Sequence, residues 1–210
     1  NETDDVFITG CFSGTTNFYG IVLNNTYSSE DIFLAKYDAN GSIVWAKRIA
    51  WGPDQDRSSG IVLDEAGNIG LVGFFYDSIF FEHDTLVSLG GLNNFFAKFD
   101  GDGNFIRAIL YPGTHSQTRI NEISLSNDNA FLLSGFFTGT FTAQTESIVG
   151  SGSNDIFLIK TDTAGNELWI RTGGGSTADR GFNASSDQYG NVYLAGYISN
   201  TATFDSTGYG

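Results

Sequence analysis

A strand–turn–strand unit that returns at a fixed interval limits what this chain can become. Residues 31–49 read DIFLAKYDANGSIVWAKRI. Ile32, Leu34 and Lys36 alternate with Phe33, Ala35 and Tyr37, as on a pleated strand whose side chains change face at every residue. Asp38-Ala39-Asn40-Gly41 then supplies a turn-starting Asp and a Gly free to take positive φ. The unit returns as NNFFAKFDGDGNFIRAIL from Asn93 and as NDIFLIKTDTAGNELWIR from Asn154. Lys36, Lys98 and Lys160 fall in one slot, 62 residues apart each time. So long a period, filled with short strands, predicts a repeat architecture whose unit is a small sheet.

A second unit interleaves with the first. It reads IVLDEAGNIGLVGFF at 61–75, ISLSNDNAFLLSGFF at 123–137 and NASSDQYGNVYLAGY at 183–197, and DDVFITG at 4–10 is half of it. Gly10, Gly73, Gly135 and Gly196 mark its slots, with Ile8, Leu71, Leu133 and Leu194 two positions before and Val6, Ile69, Phe131 and Val192 four before. That period-two apolar face predicts a buried strand face. With the strands lettered A to D, the A–B and C–D turns are tight and the B–C and D–A connections long. The chain is expected to hold strands B, C and D of one repeat (1–56), two full repeats (57–118 and 119–179), then A and B of another (180–210), which makes 13 main strands. Short extra strands are expected near Phe80–Phe81 and Thr140–Thr142.

The fold class is therefore all-β: β-propeller blades of four antiparallel strands, about three and a half blades of an incomplete ring, within a single propeller domain spanning 1–210. A solenoid would have shorter coils without paired hairpin turns. Open sheet edges at both ends are expected, covered by further sequence or a partner. The absence of Met leads to the expectation that the chain is an internal piece of a longer secreted precursor.

The pattern from Asp31 to Trp45, followed by D-x-x-G-N-x-x-x-x-G-x-F at Asp64–Phe75, resembles the SBBP type of β-propeller repeat, and its A–B turn is similar to that of NHL-type propellers. In the middle copy Asn94 stands for Asp31 and Asp155, Arg107 for Trp45 and Trp169, and Ala130 for Asn68 and Asn191. The resemblance covers essentially the whole chain. It implies a bacterial secreted or cell-surface scaffold with no shared enzymatic activity.

Composition excludes several functions. The formal charge of −14 is the opposite of a nucleic-acid binder's basic stripe. No apolar run reaches the roughly 20 residues of a membrane span, so direct membrane insertion is not expected. Acidity of this order suits a solvated, extracellular surface. The lone Cys11 falls in the slot of Phe74, Phe136 and Tyr197 and is expected to be a buried structural thiol.

Few residues point to chemistry. Asp100-Gly101-Asp102-Gly103-Asn104 has the D-x-D-x-N spacing of a calcium loop, but position 111 is Tyr where an EF-hand needs Glu, and the equivalent turns lack the middle carboxylate. No metal and no cofactor is expected. His83 and His115 lie in separate loops with no ligand or triad spacing around them, and no catalytic residues are assigned. The loop face carries Trp51, Tyr111 and His115, which are taken as binding residues, beside the variable loops 76–92 and 138–153. Arg57, Arg119 and Arg180 recur just before strand A and, with the three lysines, are read as structural repeat slots; each Arg is expected to be largely buried against a carboxylate or carbonyl. The expected function is a non-catalytic binding, adhesion or display module, extracellular or on a bacterial surface. Its partner is a protein or glycan on the loop face, or other components of a secretion or surface assembly. Cargo or spacer of such an assembly, and a polysaccharide hydrolase or lyase using two carboxylates roughly 5–10 Å apart, are the alternatives.

Overall fold

The computed structural model describes residues 4–113 and 117–204. Among these there is no helix, and the twenty strands pair antiparallel throughout. The first sheet joins β1 (Val6–Phe12), β4 (Asp31–Tyr37) and β5 (Ile43–Ala50), with β2 (Thr15–Phe18) and β3 (Ile21–Asn24) as a separate hairpin in the B–C connection. The second is a complete meander of β6 (Asp56–Leu63), β7 (Ile69–Phe75), β10 (Asn93–Phe99) and β11 (Phe105–Tyr111), with the hairpin β8 (Ser78–Phe80) and β9 (Thr85–Val87). The third repeats it with β12 (Arg119–Leu125), β13 (Phe131–Phe137), β16 (Asp155–Thr161) and β17 (Glu167–Gly174), and the hairpin β14 (Thr140–Thr142) and β15 (Ser147–Val149). The fourth holds β18 (Arg180–Ser186) and β19 (Val192–Tyr197), while β20 (Thr203–Phe204) pairs with β17.

The thirteen main strands lie where the two interleaved units put them. The B–C hairpins are fuller than expected, since β2, β3, β9 and β15 are only three or four residues long, too short for an alternating pattern to mark them. Pairing register also corrects one slot. Phe75 pairs with Asn93 as Phe12 pairs with Asp31 and Phe137 with Asp155, so Asn93, not Asn94, is the counterpart of the two acids.

The turns follow their chemistry. Gly41, Gly103 and Gly165 take φ of 79°, 75° and 85° in the C–D turns, and Asn129, one of the few side chains that tolerates this region, stands at 53° in an A–B turn. Asp100 Oδ1 accepts the amides of Asp102 and Asn104, at 3.0 and 2.8 Å, and Oδ2 accepts the Asn104 side-chain amide at 2.9 Å. The suspected calcium loop is thus a self-satisfied Asx turn, and Asp162 makes the same bonds.

The core lies between sheets. One cluster joins Ile32, Leu34 and Ile49 of the first sheet to Ile69, Leu71, Phe75 and Phe95 of the second. Another joins Phe96, Ile109 and Tyr111 of the second to Phe131, Phe137, Phe141 and Phe157 of the third. Strand β12 touches both β6 and β18, so the A strands stand side by side along the inner edge. Cross-sheet bonds pin them, Asn121 Nδ2 to the Gly181 carbonyl at 2.7 Å and Ser124 Oγ to the Ala184 carbonyl at 2.6 Å.

Cys11 departs from expectation. Its slot is the one anticipated, but it is exposed. Its strand β1 is the edge of a three-stranded sheet, and Val6 and Ile8 beside it are exposed as well.

Candidate functional site

The repeated bases sort into two devices. Lys36, Lys98 and Lys160 face Trp45, Arg107 and Trp169 across the C–D hairpin, and each reaches an acid at the A–B end of its own sheet. Lys98 Nζ lies 2.9 Å from Asp64, Lys36 Nζ 2.9 Å from Asp5 and Lys160 Nζ 2.7 Å from Asp128. The acid changes place while the pair persists. Where Asp64 would recur, the third sheet has Ser126, which holds Asp128 by a 2.6 Å hydrogen bond. Lys98 also donates to the Thr163 carbonyl of the third sheet at 2.6 Å, so its charge ties two sheets. Arg107, in the Trp slot, reaches Asn166 of that sheet at 3.2 Å.

The arginines form the second device. Arg119 begins β12 and lies 4.0 Å over the ring of Phe74 on the preceding sheet; Arg180 begins β18 and lies 4.8 Å over Phe136 in the same relation. Each guanidinium thus stacks on the B-strand aromatic of the sheet before it. Arg57 meets Cys11 in that slot and pairs instead with Glu30 at 2.6 Å. The expectation of three largely buried guanidinium groups paired to oxygen is not met: Arg57 and Arg119 are half-buried, Arg180 is exposed, and the latter two make no ion pair among the described residues. Stacking on a ring satisfies the flat faces, and Arg180 Nε also donates to the Asn154 side-chain oxygen at 3.2 Å.

Arg119 and Arg180 line one cleft of about 520 Å³ together with Gln117, Asn121, Phe136 and Phe182. Each A strand is bulged at one place, between Ser58 and Gly60, Ile120 and Glu122, and Gly181 and Asn183. The residue set aside by the bulge is Asn121 in β12 and Phe182 in β18, and both line the cleft. The sequence marked the arginines but not this gathering, because a bulge leaves no signature in a period-two pattern.

The loop-face residues do not gather. Trp51 lies under the Arg48 guanidinium at 4.5 Å, beside a cleft between the first and second sheets. Tyr111 is fully buried, stacked on Phe141 at 6.3 Å with its hydroxyl accepting from Gln144 at 3.0 Å, so it belongs to the core. The aromatic ends a strand and turns inward under the loops. His115 lies outside the described residues. His83 is exposed beside Glu82. Asp56, at the same face in sequence, is buried, and burial, with Asp31 and Asp54 nearby, pushes its carboxyl up to about 8.

Four-stranded antiparallel sheets set side by side on their A strands, without closing on themselves, define an incomplete propeller-like arrangement. No protein-family model matches the chain. It is 23% identical over 205 residues to an uncharacterized WD repeat-containing protein of Acanthamoeba polyphaga mimivirus, covering 82% of this chain and 15% of that protein. The chain thus spans well under two thirds of that relative, which is viral and lends no support to the bacterial origin implied by the SBBP resemblance. A solved protein of unknown function from Bacteroides caccae aligns with 8% identity and a TM-score of 0.26, over 77% of this chain and 72% of that one, a score too low to argue from.

Proposed function

We propose that the chain is a non-catalytic, propeller-type protein-interaction module that takes acidic segments of a partner in the cleft between the A strands of the third and fourth sheets. The observation that carries this is the convergence of Arg119 and Arg180 on one cleft, each stacked on a ring and neither in an ion pair among the described residues, in a chain of formal charge −14. A carboxylate there would accept charge-assisted, bidentate hydrogen bonds, and Phe136 and Phe182 would cover its apolar neighbours. The mimivirus relative is named for WD repeats, a propeller repeat, which supports a scaffold reading. Asp31 and Asp56 are fully buried, beyond the reach of a polysaccharide, which favours binding over hydrolysis. In this reading the module works outside the cell or on its surface, as a binding or adhesion unit.

The test is fluorescence anisotropy with a labelled Asp/Glu-rich peptide, against a neutral peptide and a sulfated glycan. The acidic peptide should bind, more weakly as salt rises. The Arg119→Gln/Arg180→Gln pair should weaken it about 10–100-fold, as expected when charge-assisted bonds of about 1.5–3 kcal/mol are lost. Binding that ignores the pair but disappears when loop 76–92 is replaced would return the site to the loop face.

A further inference from the structure

Six residues meet at equivalent corners where strand C of one sheet passes strand A of the next. Asp31 begins β4 and Asp56 begins β6, and the Asp56 amide donates to the Glu30 carbonyl at 3.2 Å. Asp155 begins β16 and Asp179 directly precedes β18, and the Asp179 amide donates to the Asn154 carbonyl at 2.8 Å. Between them, Asn93 and Thr118 hold the same slots. All six are buried, with at most 3% of any residue exposed.

Their side chains are left unsatisfied in a pattern. Among the described residues seven buried side-chain polar atoms lack a partner, and six belong to these corners: Asp31 Oδ1, both oxygens of Asp56, Asn93 Oδ1, Thr118 Oγ1 and Asp179 Oδ2. An orphaned buried polar atom is costly, and a charged one more so. A cost repeated at one slot in three successive places marks a built feature. Other oxygens of the corners are engaged: Asp31 Oδ2 by Arg48 at 3.1 Å, Asp155 Oδ2 by the amides of Ser151 and Gly152 at 2.9 and 3.4 Å, and Asp179 Oδ1 by the Ser199 amide at 2.8 Å. Gly52 keeps the first corner clear: a Cβ there would stand 2.2 Å from the Ser78 carbonyl oxygen and 2.7 and 3.3 Å from the two oxygens of Asp56. A main-chain carbonyl and a carboxylate therefore face one small space.

We propose that the Asp31–Asp56 and Asp155–Asp179 corners are divalent-cation sites of the calcium class, and that the Asn93–Thr118 corner is their uncharged counterpart, which holds water. Two carboxylates match the charge of one such ion at the Asp155–Asp179 corner, while at the first corner Arg48 already offsets part of the Asp31 charge; calcium accepts a mixed shell of carboxylate, carbonyl and water oxygens in adaptable geometry, where magnesium demands a regular octahedron. No group of three or more His, Cys, Asp or Glu forms a metal cluster among the described residues, so main-chain oxygens and water complete each shell. Each ion would bind strand C of one sheet to strand A of the next and cancel the repulsion within the acid pair.

The experiment is calorimetric titration of the EDTA-treated 210-residue chain with calcium chloride, together with thermal unfolding. Two ions per chain are expected, with Tm raised by about 10–20 °C at a hundredfold excess over both Kd values. Asp56→Asn and Asp179→Asn should each remove one ion, and the Asn93→Asp/Thr118→Asp pair should add one. That gain does not depend on the first two variants folding well. No binding heat and no change in Tm at millimolar calcium overturns the proposal. So does a calcium-silent chain whose Tm climbs as pH falls from about 9 to 6, since a proton shared between the carboxylates would then do the work.

Discussion

Replacing Phe137 with Ala should lower the unfolding free energy by about 3–5 kcal/mol, read as a fall in the urea midpoint at unchanged slope. Phe137 is 1% exposed and stands 5.8 Å from Phe141 and 6.5 Å from Phe157, which themselves stack at 4.6 Å. Phe141 in turn stacks on Tyr111 of the second sheet, so the lost ring opens a cavity in the seam between sheets rather than within one of them. Total stability of a domain is about 5–15 kcal/mol, which makes this a large fraction. Phe12, in the same slot of the first sheet at 8% exposure, should cost less in this 210-residue chain, because its sheet has three strands among the described residues and β1 is an open edge. Equal costs at the two positions, or a loss below about 1 kcal/mol at Phe137, would falsify the seam as the centre of the core.

Removing the acid from the Lys98 pair should be the second severe lesion. Asp64→Ala leaves an ammonium with 10% side-chain exposure facing only the Thr163 carbonyl, and losing one member of such a pair costs about 3–5 kcal/mol. Asp128→Ala should cost less than Asp64→Ala, because that acid is 63% exposed against 2% and water can take its place beside Lys160, whose own side chain is 13% exposed. The two variants thus separate a buried tie from a surface one of nearly equal length. The pH dependence has a definite sign. Burial raises the Asp64 carboxyl, but hydrogen bonds from Asn68 and Lys98 outweigh it and hold it below the usual range. A depressed carboxyl stabilises the fold above its unfolded value and stops doing so as pH falls through the folded one. Wild type should therefore lose stability below about pH 4, and Asp64→Asn should show a shallower decline. An unchanged acid limb in Asp64→Asn would assign the loss to other carboxylates.

The fold was legible because glycine, lysine and alternating apolar positions all repeat at one interval, and each reports backbone geometry. Asn93 and Asn94 show how easily a slot is misplaced: the 62-residue lysine spacing already points to Asn93, five before Lys98 as Asp31 is before Lys36, and pairing with Phe75 confirms it. Tyr111 and Asp56 show a limit, since a residue at the end of a strand can turn toward solvent or core, and sequence spacing does not distinguish them. The Lys98 pair was half legible, the lysine by its recurrence, its acid not, because the partner shifts from Asp64 to Asp128 between sheets. The corners were half legible: Asp31 and Asp155 recur in one slot and Asp56 and Asp179 each precede a repeat Arg, but their burial without partners left no sign, as an Asp ahead of an apolar strand reads equally well as a turn residue.

The guanidinium-on-ring contact has a direction: the second and third sheets each offer a ring to their successor, which offers the base in return. Such a joint works like a hook and eye, and it is indifferent to which two neighbours meet. Excising residues 119–179 as one block would bring Arg180 to Phe74 and restore the joint, whereas a cut of the same length shifted by half a repeat would set two hooks or two eyes against each other. Duplication and loss of whole units, but not of fractions, are therefore the length changes this chain can absorb without redesigning its seams.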